Sequence, residues 1–110
     1  MQTDFLQALI LTNLLEAPIY VLFYPKRAWQ QVILLMLAFN LLTLPFVWFV
    51  FYPLIEDYST YFVVAESFAF LVEAGILWLV FRREGWQNAL LASAAANALS
   101  AGAGLLAAFV

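Results

Sequence analysis

The chain has 110 residues, of which 67% are hydrophobic and only 10% charged, with a net charge of −3. A soluble domain this small exposes a large share of its surface, and eleven charged side chains (four basic, seven acidic) cannot cover it. The absence of Cys and His removes disulfides, thiolate chemistry, the usual zinc and haem sites and the Ser–His or Cys–His nucleophile pairs. No basic patch exists, which excludes nucleic acid as a partner.

Four apolar stretches follow in chain order, at 5–24, 28–52, 59–81 and 86–110. Each is long enough to cross a hydrocarbon core of about 30 Å at about 1.5 Å per residue. The predicted fold is therefore an all-α membrane protein, a bundle of four transmembrane helices with the lipid bilayer as its first partner. The first stretch reads as a mature helix and not as a cleaved leader, because it lacks a basic flank and carries Glu16 and Pro18. Pro25-Lys26-Arg27, Pro53 through Asp57, and Arg82 through Gly85 punctuate the stretches, and such short breaks make sequential helices antiparallel neighbours.

All four basic residues, Lys26, Arg27, Arg82 and Arg83, lie in the first and third breaks, whereas the second carries Glu56 and Asp57. The positive-inside rule then predicts a multi-pass cell-membrane protein with both termini outside the cytoplasm. Trp29, Trp78 and Trp86 flank the basic side; Trp48, Tyr52, Tyr58 and Tyr61 flank the other.

The sequence also aligns with itself at an offset of 57. Trp29-Gln30 falls on Trp86-Gln87, Glu16-Ala17 on Glu73-Ala74, and Asn40 on Asn97. Of the 53 compared pairs 14 are identical, and the rare letters carry the weight because they are costly inside lipid. The expectation is a single transmembrane domain, 1–110, made of two tandem hairpins, 1–53 and 58–110. With two helices each, the copies share one orientation and are related by a pseudo-twofold axis along the membrane normal. An ancestral hairpin acting as a homodimer would give this arrangement after duplication, and a present-day homo-oligomer or membrane-protein partner is compatible with it.

Glu16 and Glu73 each lie nine residues from a basic break, about 13 Å deep, and Asn40 and Asn97 lie about 16 Å beyond their tryptophans. These four are the candidate site, a midplane cluster for a proton or a hard cation. Thr43 shares a helical face with Asn40, and Ser100 with Asn97. Asn13 and Glu66 extend the polar track away from the basic side. Ser93, Asn97, Ser100 and Gly104 form a small-residue stripe that permits close helix approach. Pro18 and Pro45 cannot donate to the carbonyls of Leu14 and Leu41.

Two carboxylates in low dielectric need a shared proton or a counter-cation, and no Lys or Arg lies at that depth. Carboxylate, amide and hydroxyl oxygens suit Na⁺, Mg²⁺, Ca²⁺ or Mn²⁺ as a cofactor better than zinc or copper. Three functional classes follow. A proton- or cation-binding transporter or channel fits the paired acids best. A structural or accessory subunit, its polar residues only joining helices, is the alternative. An intramembrane hydrolase is weaker, lacking an activated nucleophile. The Glu-x-Pro of Glu16 and Pro18, the Asn-x-x-Thr-x-Pro of Asn40 to Pro45, the acids Glu66 and Glu73, and the Asn-x-x-Ser of Asn97 and Ser100 resemble a family of small bacterial four-helix membrane proteins. That resemblance implies the fold and brings no activity.

Overall fold

A computed structural model of the chain describes residues 5–108 and is helical throughout apart from its connections. The first helix, α1, spans Phe5–Phe23. The second, α2, spans Trp29–Leu54; it is α-helical over Trp29–Pro45 and widens into a π-helix over Phe46–Phe51. Helix α3 spans Tyr58–Val80 and α4 spans Gly85–Ala108. These limits fall within a few residues of the apolar stretches, because in hydrocarbon a helix satisfies every backbone group internally. Among the described residues α1, α2 and α3 are each long and apolar enough to cross a membrane, which is consistent with a membrane protein.

The chain passes through Pro18 within α1. In α2 the widened π-turns begin directly after Pro45, a residue that removes an i→i−4 hydrogen bond and crowds the preceding turn. Asp57 caps α3, its side chain accepting from the Thr60 N–H at 3.0 Å and from Thr60 Oγ1 at 2.6 Å. A short 3₁₀ turn over Arg82–Glu84 leads into α4, and Gly85 turns the corner at φ 86°, a conformation that disfavours any side chain.

Each helix packs on two neighbours, in the cyclic order α1–α2–α3–α4. The burial pattern is the reverse of a water-soluble bundle. Leu14, Leu22, Leu34 and Leu71 are between 61% and 73% exposed, while Glu16, Asn40, Thr43 and Glu73 are each 1% exposed. Apolar surface left outside and polar groups enclosed suit a hydrocarbon solvent, where helices gain little from hiding leucine.

Candidate functional site

Glu16 on α1 and Glu73 on α3 both point into the bundle, and helices from both ends of the chain supply their partners. Glu16 Oε1 accepts from Asn40 Nδ2 at 3.2 Å, and Oε2 from Ser100 Oγ at 2.7 Å. Glu73 Oε1 accepts from Asn97 Nδ2 at 3.0 Å, and Oε2 from Thr43 Oγ1 at 3.3 Å. Glu16 and Glu73, Asn40 and Asn97, and Thr43 and Ser100 are the pairs related by 57 in sequence. Each glutamate therefore takes an amide from the next helix in the chain and a hydroxyl from the helix that lies on its other side.

The two acids differ in one partner. Tyr20, one turn beyond Glu16 on α1, is fully buried and donates its hydroxyl to Glu73 Oε1 at 2.8 Å. Leu77 occupies the corresponding position on α3 and has nothing to donate. Glu73 thus gathers three donors and Glu16 two. Sequence reasoning missed Tyr20 because a tyrosine in an apolar run reads as packing, although its i+4 spacing from Glu16 puts both on one face.

Asn13, the outlying residue of α1, accepts from Asn40 Nδ2 at 2.9 Å and donates to its own helix at Leu9 O, 2.8 Å. Ser93 donates to Phe70 O at 2.9 Å, and Asn97 Nδ2 reaches Ser93 O at 2.9 Å, which ties α4 to α3. Glu66 stands apart from this network. It is half-buried on the wall of an open groove of about 390 Å³ between α3 and α4, whose lining also includes Asn97. The groove therefore runs from Glu66 to a residue that holds Glu73.

No basic residue is buried with the carboxylates. Arg27 instead pairs with Glu84 at the basic end, its Nε within 3.1 Å of both carboxylate oxygens and its Nη2 3.0 Å from Oε1. That pair joins the loop after α1 to the turn before α4, and the guanidinium also sits 4.7 Å from the Phe81 ring. Glu84 holds the Arg27 proton more firmly than usual through these bonds. Among the described residues no group of three or more His, Cys, Asp or Glu is arranged to hold a metal ion. Comparison with protein-family models, with curated proteins and with solved structures finds no match to this chain.

Proposed function

We propose that this chain is an integral membrane protein that binds a proton between Glu16 and Glu73 and uses it in ion-coupled transport. Its architecture in this reading is a four-span bundle of two tandem hairpins, 1–53 and 58–110, related by a parallel pseudo-twofold axis. The single observation that carries the reading is the exchange of donors. Two carboxylates, each 1% exposed, are held by amides and hydroxyls from α2 and α4, with Tyr20 of α1 adding a third hydroxyl, and no Lys or Arg is buried beside them. The symmetric pairing at offset 57 supports duplication of a hairpin that once paired with its own copy.

The donor set favours a proton over a hard metal ion. Asn40 and Asn97 present Nδ2, not Oδ1, to the carboxylates, whereas a metal needs oxygen ligands. The titratable groups that face the pair are Tyr20 from α1, Glu66 from α3, whose charge acts on Glu16, and the two acids themselves; α2 and α4 contribute only amides and hydroxyls. Ser100 Oγ also reaches Asn97 O at 3.3 Å, so its hydroxyl can donate there while accepting a carboxyl proton from Glu16. Glu73, with three donors, is suited to carry the remaining negative charge. The proton therefore rests on Glu16 and the charge on Glu73.

Infrared difference spectra on protein in lipid nanodiscs test this assignment. The protonated-carboxyl band should vanish in Glu16→Gln and persist in Glu73→Gln. In proteoliposomes either variant should lose proton flux while keeping stability, because Gln preserves shape and hydrogen bonding. The accessory-subunit reading draws on the same interhelical bonds. It would stand if both variants, and the double variant, matched the parent in proton uptake and flux.

A further inference from the structure

The groove between α3 and α4 is lined by residues that differ in side-chain size from those at the matching positions of the first hairpin. Its α4 wall is Ala94, Ala98 and Ala101; 57 positions earlier stand Leu37, Leu41 and Leu44. Three leucines replaced by alanine remove about nine side-chain carbons from one face, and neighbours fill such a void only in part. On the α3 wall Glu66 and Ser67 stand where the first hairpin has Leu9 and Ile10. Five substitutions, on two helices, thus widen one groove and give it a carboxylate.

A groove that only accommodated lipid tails would not need Glu66. A carboxyl group in an apolar wall is costly, and among the described residues no hydrogen bond reaches it. All basic side chains lie at the loops, so the chain supplies no counter-charge from within. Phe62 and Phe70 also line the groove, and aromatic rings attract a cation. A volume of about 390 Å³ lies in the range that holds small organic ligands. A metal ion would find one carboxylate and Ser67 among hydrocarbon, too few oxygens to replace its water.

We propose that this groove binds an organic ammonium ion with an apolar body, its charge against Glu66 and its hydrocarbon against Phe62, Phe70 and the three alanines. The site does not depend on the proton assignment above, but Asn97 places it beside Glu73, where a bound cation would act on the carboxylate pair.

The test is calorimetric binding of benzyltrimethylammonium to the full chain in nanodiscs, with the uncharged isostere neopentylbenzene as the control for lipid partitioning. The cation should bind saturably and the isostere should only partition. Glu66→Gln should weaken cation binding by at least about tenfold, the loss of one desolvated charge contact. Ala98→Leu, which restores the first hairpin's residue, should abolish binding while the protein stays folded. Glu16→Gln should still bind the cation even if proton flux proves absent, so failure of the transport reading leaves this result distinct. Equal behaviour of cation and isostere, or full-strength binding by Glu66→Gln, overturns the proposal; if Ala98→Leu does not fold, the Glu66→Gln result decides.

Discussion

Between the carboxylates and the basic loops, Tyr20, Tyr24, Met36, Phe39, Leu77 and Phe81 are all buried, with Ala89, Ala92 and Ala96 drawing α4 close. Between the carboxylates and the acidic loop, the first two turns of α1 and the whole π-helix bury nothing among their described residues, and α3 buries only Ala65 and Ala69. The same helices therefore make a sealed half and an open half. Large side chains against alanine close the first; the π-helix and the Glu66 groove loosen the second. Glu73 thus has a packed aromatic layer on one side and a groove on the other. Under the proposed function the open half would be the route, and the large buried side chains of the sealed half are where stability is expected to concentrate.

Truncating one phenylalanine in each half gives the largest expected contrast. Phe39 is 1% exposed and meets the Tyr20 ring edge-on at 5.2 Å. Phe39→Ala should cost about 3 kcal/mol through the cavity it leaves. Phe49 is 61% exposed, and Phe49→Ala should cost less than about 1 kcal/mol, since lipid replaces its contacts. Steric-trap unfolding in bicelles measures both. Equal losses would mean that the two halves contribute alike and that the open half is not open.

Much of the fold was legible because composition dictates it. Long apolar runs broken by Pro, Gly and charge become helices in any low-dielectric solvent. The candidate site was legible through Glu16, Glu73, Asn40 and Asn97, whose polar letters stand out where lipid penalises them. Tyr20 was not, because its ring belongs in an apolar run and only its hydroxyl matters. The ion pair of Arg27 with Glu84 was hidden differently: its members are 57 apart, and opposite charges at matched positions look like a mismatch until the halves are packed. The groove was invisible because alanine carries no polar signal. Only the comparison of Ala98 with Leu41 shows that something has been removed.

Two tyrosines in the sealed half sharpen the comparison. Tyr20 donates to Glu73, whereas the buried Tyr24 hydroxyl lies beside the Asn88 side chain and makes no hydrogen bond of good geometry among the described residues. Tyr20→Phe should cost about 1–2 kcal/mol, because it removes one of three donors from a buried carboxylate. Tyr24→Phe keeps the ring contact with Phe81 at 4.9 Å and removes a hydroxyl that makes no well-formed hydrogen bond among the described residues. It should be neutral or stabilising. A Tyr24→Phe loss as large as that of Tyr20→Phe would show that the seal depends on both hydroxyls and not on packing.

A smaller effect is expected where the sealed half is fastened. Exchanging the charges, Arg27→Glu with Glu84→Arg, keeps the pair and reverses its polarity. Each single change should destabilise modestly, since the partly exposed pair is screened by water and salt. The double variant should recover most of the loss. Absence of recovery in a double-mutant cycle would reduce the pair to two independent surface charges.

The smallest effect belongs to the matching fastener at the open end, where Asp57 starts α3. Its carboxylate accepts two hydrogen bonds from Thr60, which hold it below the ordinary carboxylate range. A group whose pKa is depressed on folding stabilises the fold above its unfolded value and stops doing so as pH falls through its folded value. Asp57→Ala should therefore fray the first turn of α3 at neutral pH, and the gap from the parent should close in acid. Asp57→Asn keeps a good capping side chain without a titrating proton, so it should hold that turn at both pH values. Amide exchange at Thr60 and Tyr61 reads the effect locally, where unfolding of the whole bundle would not resolve it. An Asp57→Ala protein that exchanges like the parent at neutral pH would mean that packing of α3 on its neighbours, and not its cap, orders the open end.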